Sequence, residues 1–296
     1  MRKDKEPMTT HLDPSKKHDF IWLFDCTNGN PNGDPDADNT PRTDLQTGHG
    51  LVTDACLKRK IRNFVTLASD QRISVSEGAI LNEAIDEAVS AKGLTDKVDA
   101  KKKRLTNPKD VDEARDWMCQ HFYDIRMFGA VLSTGKNAGQ VRGAVQLTFG
   151  ESLDPVLPMN LSITRCAATD SNEQGKENKT MGRKNIIPYG LYKAHGFYCP
   201  QFAKQTGVTE ADLALFWQAL VKCFEFDRSS ARGMMATRGV WVFSHESALG
   251  NYPTHKLFEL LKMENRTPEK PPRVYSDYDV RIVGDIPENV AWQKLD

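Results

Sequence analysis

The order of apolar segments along this chain constrains its fold most strongly. The stretch "DFIWLF" at residues 19–24 is short, aromatic and β-branched, which predicts a buried strand. Residues 53–69 have Thr53 as a candidate N-cap and apolar side chains at helical spacing, which predicts an amphipathic helix. Two strand candidates, "VRGAVQLTFG" and "PMNLSITRCA", precede a second helix at 208–226 and a strand at "GVWVFS". This order predicts an α+β chain with a ferredoxin-like unit, whose open sheet is also the frame of the RNA recognition motif (RRM).

Polar segments flank and interrupt this pattern. Residues 70–110 are rich in Lys, Asp and Glu around one short helical pattern, which indicates an insertion rather than part of the core. Residues 169–187 are polar and contain Gly between two apolar segments, which favours a long protruding hairpin. Residues 1–18 mix both charge signs and predict a polar tail. We expect residues 19–296 to form one domain, with a helix at "HKLFELLKM" and a strand at "YDVRIVG" near its end.

Composition limits the kinds of partner that the chain can have. A chain of 296 residues with 39% hydrophobic content can bury a core. Forty basic and forty acidic side chains cancel, so no general attraction to nucleic acid or to an anionic membrane is expected. The six cysteines lack zinc-site spacing, and neither a signal peptide nor a bilayer-spanning apolar run is apparent. We expect a cytoplasmic protein with free thiols, no membrane partner, and any polyanion site made by local clustering.

The loop "NGNPNGDPDADNTPRTD" is the most acidic feature near the first strand. Asp34, Asp36 and Asp38 occupy positions one, three and five of an EF-hand frame. That frame fails further along, because Asn39 stands where Gly is required and Leu45 where the bidentate Glu belongs. We therefore expect no calcium site here.

Enzyme motifs are absent or incomplete. The stretch "GAVLSTGKN" lacks the spacing of a phosphate-binding loop, since Gly129 is one residue too far away and Asn137 replaces the Ser or Thr. A metal-dependent nuclease stays open, because clustered aspartates can hold a divalent ion beside a phosphodiester. The alternative is that Asp, Asn, Gly and Pro make turns in this loop.

The first predicted helix carries an unusually basic run. Lys58, Arg59, Lys60 and Arg62 lie within five residues, and steps of about 100° place Lys58 and Arg62 one above the other. Surface helices also carry such charges for solubility. Arg42 in the preceding loop strengthens the alternative, a site for phosphates.

Basic residues also recur beside glycines. Glycine lets a backbone approach a ligand closely, and Arg or Lys neutralises phosphate. Turns explain any one such pair, but their recurrence favours a long polyanion over a small ligand. The residues in question are Arg126, Arg142, Arg183, Lys184, Arg232 and Arg238.

Three long motifs resemble those of a known family. "NGNPNGDPDADNTPRTDLQTGHGLVTDACLKRKIRN", "YDIRMFGAVLST" with "GQVRGAVQ", and "TMGRKNIIPYGLYKAHGFY" are similar to the backbone subunit of type I CRISPR Cascade complexes, which belongs to the RAMP superfamily. The similarity is strongest to the type I-C form and covers most of residues 20 to 245. It implies a modified RRM-like fold shaped like a right hand, with a finger-like helical insertion at 70–110 and a thumb β-hairpin at 163–187.

The resemblance also implies a function. Several copies of such a subunit stack as a helical filament along one CRISPR RNA, and each thumb breaks the guide into short segments that pair with target DNA. Other Cascade subunits complete the complex, and a recruited helicase-nuclease cuts the DNA in antiviral defence. The subunit is then non-catalytic and needs neither a cofactor nor a metal. Protein contacts to phosphates hold the guide, while base pairing reads the target.

The resemblance nominates individual residues. The run "LKRKIR" matches the palm helix that binds guide phosphates, which nominates Lys58 and Arg62, with Arg42 from the preceding loop. The thumb region supplies a candidate base wedge, Met181, and two candidate phosphate contacts, Arg183 and Lys184.

Two other functions remain open on the sequence. Related subunits of type III complexes cut RNA with an aspartate in the corresponding loop, so the enzyme alternative is a metal-dependent endoribonuclease that uses Asp36 or Asp38. The remaining alternative is a general RRM-type RNA-binding protein. No good RNP1 motif is present, so readout of single strands by stacked aromatic side chains is not supported.

Overall fold

A computed structural model describes residues 9–164 and 181–296 of the chain. The strands are β1 (His18–Gly29), β2 (Gly33–Asp34), β3 (Thr40–Pro41), β4 (His49–Val52), β5 (Gly129–Val131), β6 (Gln140–Arg142), β7 (Val145–Leu147), β8 (Gly150–Pro155), β9 (Met159–Thr164), β10 (Met181–Tyr198), β11 (Met234–His245), β12 (Leu261–Asn265), β13 (Tyr278–Ile282) and β14 (Val290–Leu295). The helices are α1 (Asp54–Ala68), α2 (Leu81–Ala91), α3 (Pro108–His121), α4 (Tyr123–Phe128), α5 (Pro200–Thr206), α6 (Glu210–Phe226) and α7 (Thr254–Glu259).

The main sheet is antiparallel and centred on β1. Its order is β14-β11-β1-β10-β8-β4, and β7 and β9 also pair with β10. Phe20 lies opposite Gly196 in the register of β1 and β10. A Cβ atom on Gly196 would lie 1.9 Å from the Phe20 ring, so only glycine lets this large side chain lie across the neighbouring strand. The fold is therefore α+β, as the sequence predicts.

The strongest local patterns correspond to elements of this fold. Residues 19–24 lie inside β1, and Thr53 caps α1 by accepting a hydrogen bond from the Cys56 amide at 3.2 Å. The capping box formed by Thr209 and Asp212 opens α6. The helix predicted at "HKLFELLKM" is too long, because the chain leaves the helix at Glu259 and then forms β12, which pairs with β13.

One face of the sheet holds the main hydrophobic core. Because successive strand residues point to opposite faces, Phe20, Trp22 and Phe24 lie on the same side of β1. Helices α1 and α6 pack against that side, and the rings of Trp22 and Phe224 stack with centroids 5.3 Å apart.

The other face of the sheet is covered as well. Ile21 and Leu23 are fully buried against the C-terminal part of the chain, including Leu257 of α7, Leu261 of β12 and Tyr278 of β13. The C-terminal segment therefore covers the face of the sheet opposite α1 and α6.

Helices α2 and α3 form a second hydrophobic core of their own. Ile85 and Val89 of α2 pack with Trp117 and Met118 of α3, and Leu132 after β5 joins them. The predicted insertion at 70–110 contains α2, but this helical unit extends through α3 and takes side chains from the segment that follows it.

The structure describes parts of two further predicted features, the N-terminal tail and the hairpin. From residue 9 onward the N-terminal segment packs on the body, since Trp217 donates to the His11 carbonyl at 2.9 Å and Tyr198 to the Pro14 carbonyl at 3.0 Å. Strands β9 and β10 pair from Met159 opposite Ile186 to Thr164 opposite Met181. Residues 165–180, where the rest of the predicted hairpin falls, lie outside the described residues.

Candidate functional site

Three segments that are distant in sequence meet at one end of the main sheet. They are the loop after β1, the turn before β11 and the first residues of β10. The Asn30 amide donates to the Ala231 carbonyl at 2.8 Å, and Lys184 Nζ donates to the Ser230 carbonyl at 3.1 Å. Asn185 Nδ2 donates to the Asp38 carbonyl at 2.7 Å. We call this region the convergent end.

The acidic loop is a hydrogen-bonded turn in this structure. Asp38 and Asn39 adopt left-handed backbone conformations with φ of 52° and 54°, which Asp and Asn tolerate better than most residues. The Asn39 amide donates to the Asp34 carbonyl at 2.8 Å, and Asp34 Oδ1 accepts from the Asp36 amide at 3.2 Å. Turn formation thus accounts for the positions of these aspartates.

Arg42 lies in the same loop and is half-buried. Its Nη2 is 3.3 Å from Asp34 Oδ1, and its amide donates to the Asn32 carbonyl at 3.1 Å. Asn32 also accepts from the Thr53 amide at 2.9 Å, which joins the loop to the first turn of α1. The loop and the basic helix are therefore held together as one unit.

The structure places Lys58 and Arg62 on one side of α1, as helical spacing predicts. Both cations face the Phe128 ring, at 6.0 Å for Lys58 Nζ and 5.3 Å for the Arg62 guanidinium carbon. Lys58 pairs with Asp54 at 2.9 Å, and Arg62 Nε with Asp124 at 2.9 Å. Each candidate cation is thus already oriented by a carboxylate of the same chain.

The backbone of Arg142 lies close to the residue that follows Phe128. It lies opposite Gly129 in the pairing of β5 and β6, and Gly129 directly follows Phe128. The side chain is exposed, and its guanidinium carbon is 4.3 Å from the centroid of the Phe202 ring. The backbone of Arg142 therefore lies beside the segment that contains Phe128, while its guanidinium contacts a different ring, that of Phe202.

Lys60 does not belong to the exposed basic face that the run "LKRKIR" predicts. Its side chain is fully buried beside Phe224 and pairs with Asp227, which follows α6. The spacing contains the reason, because Lys60 lies three residues after Leu57 and four before Phe64, on the apolar face. A long aliphatic stem lets a lysine cross such a face to reach a carboxylate.

Arg126 forms an internal ion pair, and its role as a phosphate contact stays a prediction. It is 6% exposed, and its Nε and Nη2 donate to the Asp212 carboxylate at 3.0 and 2.7 Å. Its Nη1 donates to the Cys119 carbonyl at 3.0 Å. This side chain joins α4 to the start of α6, and its charge is already paired with the Asp212 carboxylate.

The remaining candidates lie at the start of β10. Arg183 is exposed and lies opposite Ser162, whereas Lys184 is half-buried and reaches the turn before β11. Met181 pairs through its backbone with Thr164, and its predicted role as a base wedge stays a prediction. The sequence did not single out three further polar residues of the convergent end, which are Asn30, Asn185 and Asp227. Short polar side chains are common in turns and strand ends, so their presence in a sequence does not distinguish a binding role from a structural one.

Near the convergent end, the part of the chain that the structure describes contains neither an activated thiol nor a cluster of metal-binding side chains. Burial, with Asp25 nearby, raises the pKa of the Cys26 thiol to about 12, so the nucleophilic thiolate is not formed at neutral pH. The five cysteines in the described residues are free, as the sequence predicts. Within the described residues, no three His, Cys, Asp or Glu side chains lie close enough together to hold a metal ion.

Comparison with known proteins gives a consistent result. The chain matches the family CRISPR-associated protein Cas7 over residues 16–283. The CRISPR-associated protein Cas7 of Haloferax volcanii is 26% identical over 279 residues, which cover 86% of this chain and 77% of that protein. A chain from a solved CRISPR RNA-guided surveillance complex, pre-nicking, has a TM-score of 0.51 at 14% identity, over 77% of this chain and 78% of that one. A chain from another CRISPR RNA-guided surveillance complex has a TM-score of 0.43 at 14% identity, over 77% and 68% of the two chains.

The antiparallel sheet with α1 and α6 packed on one face, together with the α2–α3 unit, defines an α+β protein. The family match spans most of the chain, and the chain belongs to the Cas7 family of CRISPR-associated proteins. Within the parts that the structure describes, no helix is long and apolar enough to cross a bilayer.

Proposed function

We propose that this protein is a non-catalytic backbone subunit of a type I-C Cascade complex. It assembles with copies of itself along a CRISPR RNA and presents the guide for pairing with target DNA. The observation that carries this proposal is membership of the Cas7 family across residues 16–283. The similar solved chains come from CRISPR RNA-guided surveillance complexes, which supports CRISPR RNA and other Cascade subunits as partners. A helicase-nuclease recruited by the complex then cuts the DNA.

The fold of this proposed subunit is a modified RRM with a thumb. The strand order β11-β1-β10-β8, with α1 and α6 packed on one face, supports the ferredoxin-like frame. The α2–α3 unit corresponds to the finger in this proposal, and the paired β9 and β10 to the base of the thumb.

The covered sheet favours this proposal over a general RRM protein. Ile21 and Leu23 lie under the C-terminal segment, so bases cannot stack on that face without its displacement. RNA must then bind elsewhere on the molecule. The convergent end and the surface around Phe128 provide the cations for such a site.

The existing ion pairs fit reversible binding of phosphates. Lys58 pairs with Asp54 in a partly exposed i,i+4 contact, and such pairs contribute less than about 1 kcal/mol. A phosphate can therefore replace that carboxylate at little cost. Arg183 is exposed, so its guanidinium is accessible to a phosphate.

Light scattering after size-exclusion chromatography, with and without a CRISPR RNA in magnesium, tests the proposal. We expect large RNA-dependent assemblies and intact RNA on a denaturing gel. Small complexes with cleaved RNA would contradict the proposal and point to an endoribonuclease. Alanine at Asp36 or Asp38 would then abolish cleavage. Monomeric binding that does not depend on the guide would instead indicate a general RNA-binding protein.

A further inference from the structure

Two asparagines at the convergent end each leave an amide oxygen without a donor. Asn30 is 7% exposed, and its Nδ2 donates to the Asn39 carbonyl at 2.7 Å. Asn185 Nδ2 donates to the Asp38 carbonyl at 2.7 Å. Within the described residues, the Oδ1 atoms of Asn30 and Asn185 are buried and accept no hydrogen bond.

The orientation of both amides is fixed by their partners. A backbone carbonyl can only accept a hydrogen bond, so the atom that faces it must be the NH2 nitrogen. The remaining atom of each amide is then a carbonyl oxygen, which can only accept. A buried acceptor without a donor is destabilising, so a ligand that brings a donor is favoured here.

The two amides line a small cleft. Its volume is 220 Å³, and its walls also include Asp38, Asn39, Arg183 and Lys184. Pockets that enclose a whole small molecule start at about 300 Å³. The cleft therefore fits part of a larger ligand, and the two asparagines, two cations and one carboxylate are among its lining residues.

The side chains that line the cleft favour one kind of chemical group on the ligand. Its ligand must donate hydrogen bonds and carry negative charge close by. In an RNA backbone, the ribose 2′-hydroxyl is a donor and lies next to a phosphate, and DNA lacks that donor. Amino groups of bases are donors too, but they are present on only some bases, whereas every nucleotide of a guide has the 2′-hydroxyl.

We propose that this cleft is a subsite for ribose 2′-hydroxyls. The Oδ1 atoms of Asn30 and Asn185 accept hydrogen bonds from the hydroxyls of two sugars, because one hydroxyl donates only one proton. Arg183 and Lys184 bind the adjoining phosphates. This inference rests on the proposed function and deepens it, since it gives the subunit a means to choose RNA over DNA as its guide.

Binding of three oligonucleotides with the same sequence tests the subsite. They are RNA, 2′-fluoro RNA, which lacks the donor but keeps the sugar pucker, and DNA. We expect the wild-type protein to bind RNA more tightly than either analogue at a fixed salt concentration, by fluorescence anisotropy. We expect Asn185→Ala to lose about threefold to tenfold in affinity for RNA, as for one hydrogen bond, while its affinity for the two analogues is unchanged.

Asn289→Ala is the matched control, because Asn289 is exposed in the segment before β14. Equal binding of RNA and 2′-fluoro RNA by the wild-type protein would overturn the subsite, and this result needs no variant to fold. An equal loss for all three oligonucleotides in Asn185→Ala would also overturn it, since it would indicate a structural role. Failure of the wild-type protein to bind any RNA would overturn the proposed function itself.

Discussion

The ammonium group of Lys60 is fully buried and contacts the carboxylate of Asp227, which lies 167 residues further along the chain. Arg232 Nη1 donates to the same carboxylate at 2.6 Å. The pair therefore joins α1 to the end of α6 and to the turn before β11. The convergent end depends on this join, because Ser230 and Ala231 of that turn contact the β10 and β1 segments.

Replacing only one partner of the Lys60–Asp227 ion pair is expected to lower the stability of the fold. Asp227→Asn leaves the charge of Lys60 buried without a counter-ion, so the free energy of unfolding should fall by about 3–5 kcal/mol. Lys60→Met keeps an apolar chain of similar length and leaves Asp227 paired with Arg232, so its loss should be smaller. Urea unfolding of the two variants measures the difference. Equal losses would show that the unpaired buried charge is not the main cause of the destabilisation.

The ion pair between Arg126 and Asp212 gives a second prediction. Arg126→Met leaves Asp212 without its main cation, and the free energy of unfolding should fall by about 3 kcal/mol. The salt dependence of RNA binding by the folded variant should not change. Arg142→Met is the matched control for stability, because Arg142 is exposed and its contact with Phe202 contributes only about 0.5–1 kcal/mol. As a candidate phosphate contact, Arg142 should lower the salt slope when it is replaced. A reduced salt slope for Arg126→Met would support the sequence-based prediction that this residue contacts phosphate.

The sequence correctly predicted those helices and strands whose formation depends on interactions between residues close together in the chain. Strand β1 and helices α1 and α6 follow from apolar spacing and from side-chain caps within three residues of their partners. The internal roles of Lys60 and Arg126 depend on carboxylates 167 and 86 residues away, which spacing along one helix cannot reveal. The covered sheet face likewise depends on the last part of the chain. The sequence predicts the separate turns of the convergent end, but it does not show that these turns meet in space.

The basic face of α1 gives a prediction on RNA binding. Lys58→Gln with Arg62→Gln removes two phosphate contacts per subunit, so assembly on RNA should weaken. The slope of log affinity against log salt should fall by about 1.4 per subunit, the value for two contacts to a single strand. Neutral replacements are preferable to Glu, because Arg62 lies against the buried carboxylate of Asp124.

Arg266→Gln with Arg281→Gln is the control that removes the same charge. Both arginines are exposed on β12 and β13 or directly beside them, and their ion pairs within the described residues are with Asp279 and Glu264. We expect their salt slope to equal that of the wild-type protein. An equal fall in both double variants would mean that overall charge, not the face of α1, sets the affinity.

His18 gives a prediction on the pH dependence of stability. Burial lowers its pKa from 6.5 to about 4, and the ring lies between the Ser244 hydroxyl at 2.9 Å and the Asp13 carbonyl at 2.9 Å. Between these two pKa values the unfolded chain binds a proton that the folded chain does not. Stability from this group is therefore complete above about pH 6.5 and is lost as the pH falls towards 4, by up to roughly 3 kcal/mol.

The control separates His18 from other groups that titrate in acid. Hydrogen bonds lower the pKa of Asp13 below 3.8, and in Asp19 they outweigh the opposite effect of burial, so the stabilisation from both carboxylates is lost at lower pH than that from His18. Urea unfolding of His18→Gln and wild-type protein between pH 7 and 4.5 makes the test. The variant should be less stable at pH 7 but should lose less stability as the pH falls. Parallel curves would show that His18 does not carry the acid sensitivity in this window, and His195, whose pKa burial lowers to about 4, would be the next residue to replace.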